Sequence, residues 1–275
     1  MLGKLIKNDF KASAHSMLAI YIAAIAICGV AVIPFAFEKM EILQALAVMS
    51  LMLASWVMLI LPIFLLLSYF NKSLYSNQGY LSYTLPVRSR DMLFSKAVVT
   101  FFWIVLSYLF YIGIYAFIFF ILTFLLKEGN EDLIYALEEL IEAFAQIPIG
   151  EIIKFFVKAV IVVVSVFFFE ILVIVSQMFF SITLSNIKPF SYLKAFGGIL
   201  LFVSISVAMI IIFAILTFFV PGALVISGDG IKLVQYSMAT TPYSFGIAGL
   251  VFQLIASVGM FVGTNFLMKK KVNIK

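Results

Sequence analysis

The sequence predicts an all-α integral membrane protein with six transmembrane helices, an N-terminal amphipathic interfacial helix and both termini in the cytoplasm. Composition is the first reason. Of 275 residues, 65% are apolar, 16% aromatic and 11% charged, whereas a soluble domain carries roughly 25% charged residues and about half apolar ones. No globular core absorbs that excess, so lipid must solvate most of the chain. The second reason is six apolar runs, near residues 17–37, 42–69, 93–126, 152–184, 195–220 and 243–268. About 20 apolar residues cross the hydrocarbon, and the longer runs tilt or extend past it. They are read as helices because an isolated strand leaves its backbone groups unpaired in lipid.

Charge asymmetry is the third reason. With a cytoplasmic N-terminus, 13 of the 18 basic residues fall inside, leaving Lys39, Lys127, Lys154, Lys158 and Lys232 outside. The positive-inside rule then puts both termini in the cytoplasm. Only Asp9 and Asp91 among the acids fall inside, so a cytoplasmic face of about +11 opposes an acidic exterior. That pattern points to anionic lipid as a contact and away from nucleic acid.

Residues 1–16 read as the interfacial helix. At 100° per residue, Lys4, Lys7, Asn8, Lys11 and His15 share one arc, with Leu2, Leu5, Ile6 and Phe10 opposite. Such a helix lies along the membrane surface with its lysines toward headgroups. Asp9 falls on the apolar side; it either caps or pairs with a neighbouring basic group, or it meets a partner protein. The segment does not read as a cleavable signal peptide, because its apolar run is too long and no small-residue cleavage site closes it. His15, the single histidine, marks a helix near the surface and leaves no histidine-based metal site or hydrolase triad. Cys28, the single cysteine, excludes an intrachain disulfide.

Pro34 ends the first span, while Pro62 sits inside the second, removes a helical hydrogen bond and marks a candidate hinge. Residues 71–92 then turn polar and basic. Gly79-Tyr80 breaks from the preceding helix, Leu85-Pro86 fixes an extended bend, and Ser89 or Arg90-Asp91 restarts a helix leading into span three. A short basic element held at both ends suits a soluble partner, and the planar arginine fork suits carboxylates on it. Residues 127–151 form the longest outside segment. There Leu133, Ile134, Leu137, Leu140, Ile141 and Phe144 recur at helical spacing among four glutamates, which reads as an acidic amphipathic extracellular helix, either a solvated lid or an exit vestibule.

Glu170 is the acid placed deep in an apolar run, where an unpaired carboxylate costs at least ~2.5–3.5 kcal/mol. Gln177, Ser181 and Lys188 lie within about 20° of it on a helical wheel. This polar stripe is expected to face the bundle interior or a subunit interface, either as inter-helix glue or as a point on a substrate path. The stretch 221–242, rich in glycine and proline, is expected to hold short, partly re-entrant structure. No phosphate-binding loop, zinc-protease motif or nucleophile elbow is present, so the reading assigns no catalytic residue and no metal.

The segment Gly79-Tyr80-Leu81-Ser82-Tyr83-Thr84-Leu85-Pro86-Val87, followed by Arg90-Asp91 and Ser95-Lys96, resembles the first cytoplasmic loop of ABC-2-type permeases, the membrane subunits of ATP-driven exporters. The likeness covers the topology of the whole chain and the residue pattern over about 70–103. It implies a single permease domain over 1–275 with a coupling region at Tyr80, Thr84, Leu85, Pro86, Arg88, Arg90, Asp91 and Lys96. It also implies an ABC ATP-binding subunit as partner, ATP and Mg in that partner and none here, and a second copy or related permease beside it in the bacterial cytoplasmic membrane. The family usually places its larger external element between spans five and six, whereas here an acidic helix also follows span three. Small exporters of peptides and toxins are the closer analogy, with an amphipathic peptide, toxin or lipid-like cargo. Two other classes stay open: an ion-coupled secondary transporter titrating at Glu170, and a non-transporting immunity or scaffold protein.

Overall fold

A computed structural model describes residues 2–37, 41–75, 89–126, 149–187, 190, 194–220, 222–227, 230–235 and 244–270. Six long helices follow one another: α1 (Leu2–Ala31), α2 (Glu41–Tyr75), α3 (Ser89–Leu126), α4 (Ile149–Ser185), α5 (Lys194–Phe219) and α6 (Ile247–Lys270). All six are long and apolar enough to cross a membrane, which makes this a multi-pass membrane protein. At 1.5 Å per residue, the 38 residues of α3 extend about 57 Å, well beyond a hydrocarbon core of about 30 Å. The extra length accounts for the polar residues at its first turn.

Two expectations change at the element ends. The interfacial segment is no separate helix, because Leu2–Ala31 runs unbroken. Lys4, Lys7, Asn8, Lys11 and His15 are exposed as their shared arc requires. The polar stretch beginning at Asn71 is also partly helical: α2 continues to Tyr75 and α3 starts at Ser89. Leucine and tyrosine between the polar side chains keep an apolar face on that last turn, and Leu74 and Tyr75 are buried.

The all-α expectation also needs a correction. Between α5 and α6 lie β1 (Gly222–Ser227), β2 (Gly230–Gln235) and β3 (Ser244–Gly246), in sheet order β2-β1-β3. β1 and β2 are antiparallel, with Gly222 opposite Gln235 and Ser227 opposite Gly230. In the sequence Gly228-Asp229 lies between them, a dipeptide of the kind that signals hairpins. Alternating branched residues such as Val225 and Ile226 suit strands. β3 pairs with β1, Leu224 facing Phe245, so the sixth helix begins at Ile247, after the strand, and not at 243.

Two compact units divide the chain: residues 1–69 with 94–145, and residues 70–93 with 146–275. In the first, α1 buries Asp9, Ser13, Met17, Tyr21, Ala24 and Ala31, a stripe at helical spacing, and its aromatic residues meet those of α3. Phe10 stacks on Trp103 at 4.8 Å between centroids, and Tyr21 on Phe110 at 4.6 Å.

In the second unit α4, α5 and α6 pack mutually, and β1 rests against α4 and α6. Glycines allow the close approach, as small residues do between membrane helices. A Cβ on Gly249 of α6 would run into the ring of Phe213 on α5, and one on Gly263 would come within 3.2 Å of Phe180 on α4. Phe70, at the end of α2, packs against Phe179 of α4 at 5.4 Å.

Candidate functional site

The first unit contains a buried polar ladder between α1 and α3. Lys96 donates from Nζ to Asp9 Oδ1 at 2.8 Å, and Ser95 donates from Oγ to Asp9 Oδ2 at 2.9 Å. Both carboxylate oxygens are therefore satisfied. The two charged side chains are 4% (Lys96) and 11% (Asp9) exposed. One turn along α1, Ser13 Oγ donates to the Asp9 carbonyl at 2.9 Å and accepts from Trp103 Nε1 at 2.9 Å. Two turns further, the Tyr21 hydroxyl lies 2.9 Å from Ser107 Oγ and 3.2 Å from the Trp103 carbonyl.

This ladder follows from the sequence of α1. Asp9, Ser13, Met17 and Tyr21 recur every four residues, so a helix places them on one face. Each polar member finds its partner on α3, at Ser95, Lys96, Trp103 or Ser107. Chain order along both helices is the same, so α1 and α3 run parallel. A buried pair of opposite charges offsets its desolvation only when its geometry is good and its remaining lone pairs are bonded, and both conditions hold here. Thr100 closes its own demand on the Lys96 carbonyl at 2.8 Å. Phe10, Phe102 and Trp103 pack over the ladder, excluding water and strengthening every bond in it.

No protein-family model, curated protein or solved structure matches this chain.

The sequence-derived residues distribute unevenly. Of the coupling set, Tyr80, Thr84, Leu85, Pro86 and Arg88 lie outside the described residues. Arg90 and Asp91 are exposed in the first turn of α3, where the aspartate suits the positive end of the helix dipole. Lys96 belongs elsewhere. It is 3% exposed and bound to Asp9, which puts its side chain in the interior clamp. Lys96 follows Ser89 by seven positions, almost two turns, which carries the lysine from the start of α3 into the packed region. The open choice for Asp9 resolves as pairing with a basic group. Its wheel position among apolar residues was the signal; the partner, 87 residues away, carried none.

In the second unit, Gln177 and Ser181 are buried as the polar stripe requires, and Gln177 Oε1 accepts from Ser206 of α5 at 3.1 Å. Glu170 is exposed and does not face the interior of its unit; of the two faces expected of the stripe, a subunit interface is the one left to it. The buried run of α4 begins at Ile171 and continues to Ser185, whereas described residues before it are mostly exposed. Helical phase alone cannot show where along a helix packing starts. Lys188 lies outside the described residues.

Pro62 is buried within α2, which continues as helix to Tyr75. The acidic segment 127–148 lies outside the described residues. Sequence reasoning missed the polar anchors joining the end of α2 to α4. Tyr75 OH lies 2.7 Å from Thr183 Oγ1, and Asn186 Nδ2 donates to Asn71 Oδ1 at 2.9 Å. Their members on α2 fall where the chain read as a polar segment, while Thr183 lies in the fourth apolar run.

Proposed function

We propose that this chain is the permease subunit of an ATP-driven exporter, with ATP hydrolysed by a separate subunit that docks on the segment between α2 and α3. The observation that carries the reading is the buried Asp9–Lys96 pair. It fastens α1 to the helix that begins directly after that segment. Force applied at residues 76–88 reaches α3 through an unbroken helix, and the clamp makes α1 move with α3. The Tyr75–Thr183 and Asn71–Asn186 bonds fasten the other end of the same segment to α4. With the helices on both flanks of that segment fastened, a push on it is transmitted and not absorbed.

The topology belongs to this proposal: both termini cytoplasmic, with Lys4, Lys7 and Lys11 at the inner headgroups. So do a second copy or related permease beside this chain and an amphipathic peptide, toxin or lipid-like cargo. The test is ATPase stimulation in nanodiscs. Adding this chain should raise hydrolysis by its ATP-binding partner, and the double reversal Arg88→Glu, Arg90→Glu should abolish the rise without impairing insertion. Unchanged stimulation would refute the docking assignment.

A second reading draws on one observation. Glu170 is exposed at membrane depth, and no described residue of its own unit gives it a hydrogen bond or ion pair. An ion-coupled carrier titrating there would move cargo without ATP and lose activity in Glu170→Gln; an exporter would tolerate that change.

A further inference from the structure

One stripe of α1 has a charged end and an apolar end. Residues 7, 11, 14, 18, 21, 25 and 28 alternate steps of four and three, the spacing that keeps a line of side chains on one helix face. Lys7 and Lys11 open it; both are exposed and neither has an ion pair among the described residues. Asp9, the acid between them, is already taken by Lys96. Leu18 continues the stripe at 50% exposure. At its far end, a groove of about 380 Å³ opens between α1 and α3, lined by Ile25 and Cys28 on one side and Leu109, Phe110, Gly113 and Phe117 on the other. Ile25 and Leu109 are each 59% exposed, so the groove is open to the side. No charged residue lines it, so its wall is apolar throughout.

The spacing of the two ends matches a lipid. Lys11 to Ala24, another residue of the groove wall, is about 20 Å along the axis at 1.5 Å per residue. Half of a bilayer 40–45 Å thick with its headgroups is about 20–22 Å. Lys11 to Ile25, the near end of the groove on the stripe, is likewise about 21 Å, so a phosphate at Lys11, with Lys7 one turn farther out, puts the end of its own acyl chain at Ile25. We propose that this stripe is a binding site for one anionic phospholipid, its headgroup held by Lys7 and Lys11 and one acyl chain seated in the α1–α3 groove. The site stands apart from the exporter reading, whose failure would leave it intact.

The test is native mass spectrometry of the full chain released from bilayers holding phosphatidylglycerol and phosphatidylcholine with identical chains. An attraction worth about fivefold per lysine near the surface gives ~25-fold preferential retention of one phosphatidylglycerol. Lys7→Gln with Lys11→Gln should bring the two lipids to parity. Gly113→Leu should cut retention of both, because a Cβ there meets nothing within 4 Å and the larger side chain fills the groove without displacing its walls. Leu109→Trp fills it from one turn away on the same wall and gives the same reading should the first variant aggregate. Glycerol phosphate, the headgroup alone, should not displace the lipid. Equal retention of the two lipids by the unaltered chain, or full retention in both groove-filling variants, would overturn the proposal.

Discussion

Replacing Lys96 by methionine removes the ammonium and keeps most of the stem, so packing changes little while the charge is lost. Asp9 is then a carboxylate 11% exposed, with the Ser95 hydroxyl still bonded but no cation beside it. Removing one partner of a buried pair costs about 3–5 kcal/mol, because the other charge is left uncompensated. At a few degrees per kcal/mol for a chain of this size, the melting midpoint in mild detergent should fall on the order of 10 °C. Asp9→Leu should do similar damage by stranding the ammonium. The double variant Asp9→Leu, Lys96→Met carries no charge at the clamp and should recover most of the loss, leaving about 1 kcal/mol for the lost Ser95–Asp9 bond. Midpoints of the four proteins form a double-mutant cycle. Buried Trp103 adds a local probe, since loosening α1 from α3 should red-shift its emission. A double variant no more stable than the worse single one, or a Lys96→Met protein as stable as the parent, would refute the clamp.

Other expectations follow from the same geometry. Trp103→Phe keeps the stacking on Phe10 but loses the bond to Ser13, and should lower unfolding free energy in a denaturant titration by about 1 kcal/mol. Gly249→Leu should prevent correct packing of α5 on α6 through Phe213, whereas Gly259→Leu, whose Cβ meets nothing within 4 Å, should be tolerated; size-exclusion profiles after detergent extraction separate the two. Glu170→Leu removes an exposed carboxylate from membrane depth and should leave the melting midpoint unchanged or raise it, while Gln177→Leu strips the acceptor of Ser206 and should lower it.

Fold class was legible because lipid imposes a coarse requirement: about 20 apolar residues and a closed backbone. All six runs become helices. Their ends were less legible, since a turn such as Asn71–Tyr75 is polar in composition yet helical through contacts with α4. The small sheet was missed for a related reason. A six-residue apolar strand such as Gly222–Ser227 resembles the end of a helix until its partner is known. At the clamp, the sequence marked Asp9 as misplaced on an amphipathic wheel but could not point to Lys96, because pairing between distant helices leaves no periodic trace. The same gap put Lys96 with the docking residues beside it in the chain. Glu170 and Gln177 share a helical phase, yet only the second lies in the packed part of α4.

The exporter reading is tested most directly by tagging the C-terminus and recovering the chain in mild detergent from its own cells. The account expects an ATP-binding protein bearing a phosphate-binding loop, in roughly stoichiometric amount, and its loss when Arg88 and Arg90 are both changed to glutamate. Recovery of this chain alone, under conditions that preserve other membrane complexes, would contradict it.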